Sequence, residues 1–329
     1  MSTSMQEPIV VACAADDFFA MPLAVTTFSA FKNLNPQRRM VLFILDGGIS
    51  AVNQKKLLQT LDSSRIDVHW IKPTADQIKA TLMKCKASNH PISTYYRLLL
   101  PAIVPPQYKK VIYLDSDTVV EQDLEQLWNQ DLKGNALLAV QDQAIGKDLD
   151  VVEHFESIIP ESSEIEKIGH RYLNSGVLVM DLEKWRQNHV ADSALKFIND
   201  HPDLPYPDQD AINMVLADQW GELDPKWNQI YAIYSYDSYQ DSPYDKTTYL
   251  ELLQHPFIIH YTTRPKPWGK NCVHPRADRF FHYLDQTAWK GWRNNALNYT
   301  TTLVRRGVRR VKTSVFKQFS RLLSRELTA

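Results

Sequence analysis

Short runs of apolar residues alternate with longer stretches of helical periodicity over the first part of the chain. The mostly apolar runs predict buried strands, and they cover residues 9–15, 40–45, 66–71, 111–114, 136–140 and 176–180. Helical periodicity occurs at 21–31, 52–61 and 95–100, and we expect the last of these helices to end before Pro101. Because strands and helices alternate, the pattern predicts βαβ units and an α/β domain with a mainly parallel sheet.

The second part of the chain is less regular. A helix is predicted over 208–217, behind Pro207, and a short strand over 257–261, while residues 231–249 are rich in Tyr, Asp and Ser and predict a loop. From Leu303 onward the chain carries eight Lys or Arg residues and one acidic residue. Apolar residues recur there at helical spacing, at Val308, Val311, Val315, Phe319 and Leu322. We therefore divide the chain into an α/β domain over 1–285 and a basic amphipathic helical segment over 286–329.

A basic amphipathic helix is typical of binding to an anionic membrane surface. A helix that docks on a partner protein and a solvated tail are the alternatives. We favour the membrane surface.

Composition narrows the class of protein. A chain of 329 residues with 44% hydrophobic residues can bury a sizeable core, and its net charge of −1 argues against nucleic-acid binding through bulk electrostatics. The three cysteines are too few and too far apart for a disulfide framework or a zinc cluster, and Cys13 is predicted to be a core thiol. The first residues lack the pattern of a signal peptide, and no apolar stretch is long enough to cross a membrane. These features predict a cytoplasmic protein.

The strongest chemical signal follows the predicted strand 111–114, which ends in Asp115-Ser116-Asp117. Ligands of open α/β sheets bind beyond the carboxyl ends of the strands, and two carboxylates placed there repel each other unless a cation lies between them. Hard oxygen ligands suit magnesium or manganese. The alternative is a structural role, because Asp residues after strands also begin turns and cap helices.

Four further segments carry candidate polar groups. Asp16-Asp17 follows the first strand, and Leu173-Asn174-Ser175-Gly176 precedes a later one, although Asn-Ser-Gly is also a turn signal. Asp208-Gln209-Asp210 stands at the start of a predicted helix, where Asp208 would be an N-cap. The segment 260–268 places His260 after a short strand and Lys266 between two prolines. Alone, His260 is better explained as an ordinary half-buried histidine.

Together these segments resemble the family 8 retaining glycosyltransferases, in particular bacterial α-galactosyltransferases of lipopolysaccharide core synthesis. The resemblance covers about residues 8–285, and six motifs occur in the same order along the sequence. They are the segments 14–17, 93–98, 113–117, 173–178, 208–213 and 260–268. The family implies a GT-A fold, a nucleotide-sugar-binding mixed sheet flanked by helices.

The resemblance also implies roles for individual residues. Asp115, Asp117 and His260 would coordinate manganese or magnesium, which bridges the diphosphate of a UDP-sugar. Asp16 would hold the uridine and Lys266 the diphosphate. The residues expected around the whole donor are Ala14, Asp16, Arg97, Asp115, Ser116, Asp142, Asn174, Ser175, Asp208, Gln209, Thr263 and Lys266. The sequence departs from the family pattern at Phe18-Phe19, where a polar Asn or Tyr is frequent, and at Thr263, where a Gly is common.

The expected reaction is transfer of galactose or glucose, with retention, to a glycan acceptor such as lipopolysaccharide or another surface glycan. We favour attack on the face that the diphosphate leaves, with Gln209 stabilising the positive sugar and Asp210 as the reserve nucleophile. A lipid-linked acceptor would suit a protein held at the inner face of the membrane by its basic tail.

Three other functions fit parts of the sequence. Asp115-Ser116-Asp117-Thr118-Val119 also matches the first motif of haloacid-dehalogenase-type phosphatases, although that motif normally opens its domain. An inactive transferase fold acting as a scaffold and a self-glucosylating protein of the glycogenin type are the others. The sequence selects neither the sugar nor the acceptor, and it leaves the oligomeric state open.

Overall fold

A seven-stranded mixed sheet forms the centre of the protein. The computed structural model describes residues 7–74, 92–144, 150–159, 165, 168–262, 264–295 and 298. The strands of this sheet are β1 Ile9–Ala15, β2 Met40–Asp46, β3 Ile66–Ile71, β4 Lys110–Leu114, β6 Leu137–Gln141, β7 Leu173–Asp181 and β8 Trp220–Glu222. Two shorter strands, β5 Thr118–Val120 and β9 Ile258–His260, pair in a separate antiparallel ribbon.

All the strands of the large sheet run in one direction except β7. Neighbours β3, β2, β1 and β4 pair in parallel, β7 pairs antiparallel with β4 and β6, and β6 pairs in parallel with β8. The predicted α/β class is therefore confirmed, and the sheet is mixed.

Helices lie between the strands, and after the last of them, in the order of the sequence. Within the described residues they are α1 Ala20–Asn33, α2 Ala51–Thr60, α3 Tyr96–Ile103, α4 Leu124–Trp128, α5 Val151–Glu156, α6 Leu182–Gln187, α7 Val190–Asp200, α8 Pro207–Val215, α9 Lys246–Gln254 and α10 Ala277–Leu284. Fully buried side chains of β1, β2, β4 and β7 form the centre of the hydrophobic core, to which Cys13 contributes as predicted.

Two predictions, one of a helix end and one of a loop, were wrong in detail. Helix α3 continues through Pro101 to Ile103. Proline removes one intrahelical donor, but the carbonyls of Pro101 and Val104 accept hydrogen bonds from Arg186, which stabilises this end of the helix. The segment 231–249 is not a plain loop, because it contains two 3-10 turns and the start of α9 at Lys246.

The beginning of the expected tail segment packs on the domain. Thr287 and Trp289 are buried, Lys56 lies over the Trp289 ring, and Arg293 pairs with Asp285. The boundary predicted at residue 285 is thus not marked by a break in packing. The basic stretch from Leu303 onward lies outside the described residues. Within the described part of the chain, no helix is long and apolar enough to cross a membrane.

Candidate active site

Strand direction gathers the predicted residues at one edge of the sheet. The carboxyl ends of β1, β4 and β6 lead to Asp16, Asp115 and Asp142, and the antiparallel β7 begins at the same edge with Asn174 and Ser175. The backbone amide of Asp115 donates to the Gly176 carbonyl at 2.8 Å, which joins the two sides of the site. Motifs far apart in sequence therefore meet because of strand order.

The β5–β9 ribbon brings His260 to the acidic pair. Its register places His260 opposite Thr118, and the amide of Tyr261 donates to the Asp117 carbonyl at 3.0 Å. His260 is 4% exposed, so it is buried at the site. The pairing explains why a histidine more than a hundred residues downstream lies beside Asp115 and Asp117.

The three side chains fit a divalent cation. His260 Nε2 lies 3.3 Å from Asp117 Oδ1 and 3.7 Å from Asp115 Oδ2. One ligand atom from each residue lies within 4.8 Å of the other two. Two carboxylates and one imidazole form a donor set that binds manganese and related metals.

A glycine leaves room for this arrangement. A Cβ built on Gly176 would lie 2.1 Å from His260 Cε1 and 3.1 Å from Asp115 Oδ2. Any side chain at this position would therefore overlap the imidazole.

Lys266 reaches the same site. Its ammonium lies 2.8 Å from Asp117 Oδ2, and it also donates to the carbonyls of Tyr261 and Thr262. Burial raises the pKa of Asp117, but the Lys266 ammonium, with a further contribution from His260, outweighs burial and holds the pKa below its ordinary value. Asp117 is therefore a carboxylate at neutral pH.

Arg97 joins the acidic pair to helix α8. Its guanidinium lies 2.7 Å from Asp115 Oδ1 and 3.0 Å from Asp208 Oδ2, and it donates to the Ser175 hydroxyl at 2.8 Å. Burial lowers the pKa of Arg97, but the neighbouring carboxylates raise it above its ordinary value, so the cation is permanent. Arg97 thus offsets part of the negative charge of the site.

Asp208 is not the N-cap that we predicted. Tyr206 is the cap of α8, Pro207 is the first helical residue, and Asp208 lies in the first turn. Its carboxylate pairs with Arg97 instead of capping the helix. Burial raises the pKa of Asp208, while the Arg97 charge lowers it, and the net pKa lies above the ordinary value.

A polar cluster lines the side of the site next to α8. Gln209 Oε1 accepts from the Ser175 amide at 2.9 Å, and Gln209 Nε2 lies 3.4 Å from Asp142 Oδ2. Asn174 donates to the same Asp142 oxygen at 2.8 Å. The turn suggested by Asn-Ser-Gly is absent here, since these residues belong to strand β7.

The carboxylate of Asp210 is buried and hydrogen-bonded within the protein. The residue is 0% exposed, and its carboxylate accepts from Tyr172 Oη at 2.5 Å and from the Tyr206 amide at 2.9 Å. His154 Nε2 lies 2.7 Å from it. Both carboxylate oxygens therefore have partners within the protein.

Asp16, Ala14 and Ser116 lie together at the end of β1. The Ser116 hydroxyl donates to the Ala14 carbonyl at 2.5 Å, and Asp16 Oδ1 accepts from the amides of Phe18 and Phe19. The structural role of an Asp after a strand is thus present at Asp16. Thr263, another expected donor contact, lies outside the described residues.

Three residues of the site were not among the predicted site residues. Tyr113 Oη donates to Asp115 Oδ1 at 2.8 Å, Gly176 leaves space for His260, and Asn228 Oδ1 lies 2.9 Å from His260 Nδ1. Tyr113 and Gly176 belong to motifs that we had noted. Asn228 lies in a segment without a motif, where only the tertiary structure reveals it.

Comparison with solved structures identifies the fold. The bifunctional glycosyltransferase WbbM has a TM-score of 0.72 at 20% identity, over 88% of this chain and 52% of that one. The galactosyltransferase LgtC, in complex with donor and acceptor sugar analogues, has a TM-score of 0.65 at 24% identity, over 85% of this chain and 96% of that one. At these identities the likeness concerns the fold, which is the GT-A fold of glycosyltransferases.

Sequence comparison gives the family. Residues 10–272 match the profile described as "Glycosyl transferase family 8", and the chain therefore belongs to this family of glycosyltransferases. "General stress protein A" of Bacillus subtilis (strain 168) is 31% identical over 294 residues, 88% of this chain and 97% of the relative. "Lipopolysaccharide 1,2-glucosyltransferase" of Escherichia coli (strain K12) is 30% identical over 200 residues, 60% of this chain and 55% of the relative. Membership in this family argues against the phosphatase interpretation.

Proposed function

We propose that this glycosyltransferase moves galactose or glucose from a UDP-sugar to a glycan acceptor, with retention and with manganese or magnesium as cofactor. The observation that carries the proposal is the convergence of Asp115, Asp117 and His260 within 4.8 Å. Lys266 supplies a cation at the same place, 2.8 Å from Asp117. A cation site next to a lysine suits a diphosphate leaving group.

Asp115, Asp117 and His260 would hold the metal. When bound, a divalent cation supplies Lewis-acid stabilisation of the negative charge that develops on the diphosphate. The ammonium of Lys266 is placed to exchange its contact with Asp117 for a phosphate oxygen. Arg97 keeps Asp115 and Asp208 oriented toward the site through its two ion pairs.

The sugar would lie beside Asp142, Asn174, Ser175, Asp208 and Gln209. A sugar losing its leaving group carries positive charge at the anomeric carbon, and the carbonyl oxygen of Gln209 is a suitable neutral group to stabilise it. Ala14, Asp16 and Ser116 would hold the nucleoside, with Thr263 a further proposed contact.

Attack on the departing face is the mechanism that we favour. Asp210, the reserve nucleophile, would have to leave Tyr172, His154 and the Tyr206 amide before it could reach a sugar. These contacts favour a structural role for it. If mass spectrometry of Gln209→Glu incubated with donor detects a covalent sugar on Asp210, same-face attack is the wrong assignment.

The proposed acceptor is a lipid-linked surface glycan such as lipopolysaccharide. One relative of the chain is a lipopolysaccharide glucosyltransferase, and the basic stretch beyond Leu303 would hold the protein at the anionic inner face of the membrane. A self-glucosylating protein would need no separate acceptor. A scaffold would show no turnover of the donor.

The first experiment measures UDP release from UDP-galactose and UDP-glucose, with manganese or with EDTA. We expect metal-dependent release with one donor, and at least a hundredfold loss in Asp117→Asn. Asp203→Asn, which changes an exposed carboxylate outside the site, serves as the matched control and should keep full activity. Folded wild-type protein without turnover or donor binding would favour the scaffold alternative.

A further inference from the structure

A chain of buried polar side chains runs from the metal-site histidine to the sugar side of the site. His260 Nδ1 lies 2.9 Å from Asn228 Oδ1, and Asn228 Nδ2 donates to Asn174 Oδ1 at 2.8 Å. Asn174 Nδ2 donates to Asp142 Oδ2, which also lies within reach of Gln209. Asn228 is 0% exposed, and Asn174, Asp142 and His260 are each less than one tenth exposed. Water therefore has little access to these bonds.

The donor and acceptor of each hydrogen bond in this series follow from two fixed groups, the Gly176 amide and the Asp142 carboxylate. The backbone amide of Gly176 donates to the Asn174 side chain at 3.1 Å, so the accepting atom must be the carbonyl oxygen. The Asn174 side chain also faces the Asp142 carboxylate, which can only accept. The atom of Asn174 that points to Asp142 must therefore be its NH2 group. The atom of Asn228 that faces Asn174 must then be its NH2 group. Its carbonyl oxygen is left facing His260.

This direction fixes the tautomer of the histidine. A carbonyl oxygen at Nδ1 needs a proton on Nδ1, and the neutral ring then carries its lone pair on Nε2. Nε2 is the atom that lies nearest to Asp115 and Asp117. The opposite tautomer would direct a proton at the carboxylates and could not bind a metal through Nε2.

The backbone of Asn228 is held independently of its side chain. Gln143 Nε2 donates to the Asn228 carbonyl at 3.1 Å, and the next residue, Gln229, pairs with Ile258 and His260 of strand β9. The side chain of Asn228 is thus presented to the imidazole by a segment that is anchored to the same ribbon. The hydrogen bond to His260 is made by the side-chain oxygen of Asn228.

We propose that Asn228 is a positioning residue that selects the metal-binding tautomer of His260 and, through Asn174, couples this ligand to the Asp142 carboxylate. The proposal rests on the proposed function for the metal and the sugar. Partners of this kind orient metal-bound histidines, and their loss typically weakens metal affinity by about 10–100-fold.

Manganese affinity provides the first test. In a titration of the protein with Mn²⁺ followed by electron paramagnetic resonance, we expect Asn228→Ala to bind at least about tenfold more weakly than wild type. Asn33→Ala is the matched control, because Asn33 is a partly buried asparagine whose amide donates to Ser29, Val120 and Tyr283 instead of belonging to the His260–Asn228–Asn174 series. It should lower the unfolding free energy but retain Mn²⁺ affinity. Unchanged affinity in Asn228→Ala, or an equal loss in both variants, would overturn the proposal.

The tautomer gives a second test that needs neither metal nor activity. Long-range ¹H–¹⁵N spectra of histidine-labelled, metal-free protein at alkaline pH should show Nδ1–H at His260 in wild type, assigned with His260→Gln. Asn228→Ala should shift the ring toward Nε2–H, because no side-chain acceptor at position 228 then faces Nδ1. Nε2–H in the wild type would refute the proposal.

The two tests separate the proposal from the function on which it rests. A wild-type protein with the expected tautomer, lost in Asn228→Ala, but with no Mn²⁺ binding would support the role of Asn228 in orienting His260. The same result would remove the metal from the proposed function.

Discussion

Single atoms decide whether the site can form. Gly176 is the clearest case, since its missing Cβ is the space into which the His260 ring fits. The same residue supplies the carbonyl that accepts from Asp115 and the amide that orients Asn174. One position in β7 thus serves the acidic pair, the histidine and the amide chain.

Gly176→Ala is therefore expected to expel the imidazole. The added methyl would lie 2.1 Å from His260 Cε1, so we expect at least a tenfold loss of Mn²⁺ affinity. Unfolding in urea should show a destabilisation of about 1–3 kcal/mol from overpacking.

A double-mutant cycle identifies the cause. In a His260→Ala background, the methyl of Gly176→Ala has no ring to displace, so its destabilising effect should become much smaller. An undiminished effect there would mean that the methyl disturbs Asp115 or the backbone of β7 instead.

At the scale of elements, the segment that follows Lys266 is held by aromatic packing around His274. This ring lies against Tyr231, Tyr234 and Tyr261, with centroids 4.7–5.6 Å away. Its Nδ1 accepts from the Arg276 amide, while Nε2 is buried without a hydrogen-bond partner among the residues that the structure describes. Burial, with the charges of Lys266 and Arg276, lowers the pKa of His274 from 6.5 to about 4.

This histidine should make the fold sensitive to acid. Between pH 6.5 and 4 the unfolded chain binds a proton at His274 that the folded protein does not bind, so stability falls as the pH falls through this window. We expect a contribution of about 3 kcal/mol. In His274→Phe, which keeps a ring among the tyrosines, urea unfolding at several pH values should show a shallower loss of stability. Identical slopes in the two proteins would contradict this assignment.

Element prediction succeeded where local signals agreed. The strand at Ile66–Ile71 has the predicted bounds, and α1 and α2 differ from prediction by one or two residues at each end. The sequence failed at Pro101, where hydrogen bonds from the distant Arg186 stabilise the end of a helix through proline. Helix α7 was missed although its apolar residues Val190, Ala194, Leu195 and Ile198 have helical spacing.

At the scale of the whole molecule, the basic stretch beyond Leu303 is the part that would connect the enzyme to a surface. Truncation after Asn298 should release the protein from anionic vesicles in sedimentation at low salt. Each basic residue near such a surface contributes about 1 kcal/mol. A full-length variant with Arg305, Arg306, Arg309 and Arg310 changed to Gln should lose most of the binding as well.

Two results would separate membrane binding from other roles of this segment. UDP release with a soluble acceptor should be unchanged by the truncation, since the site lies within residues 14–266. Sedimentation of the truncated protein equal to that of the full chain would leave the partner-docking or solvated-tail interpretation.

The sequence by itself determined the alternation of strands and helices, the acidic pair at a strand end and the order of motifs that marks the family. These signals are local, because burial periodicity and turn chemistry act between near neighbours in the chain. Tertiary structure alone decided that Lys266 reaches Asp117, that Gly176 makes room for His260, and that Asp210 is enclosed by Tyr172 and His154. Such contacts join residues 38 to 149 positions apart, or depend on a single missing atom. They depend on strand order and register, which no local pattern in one chain specifies.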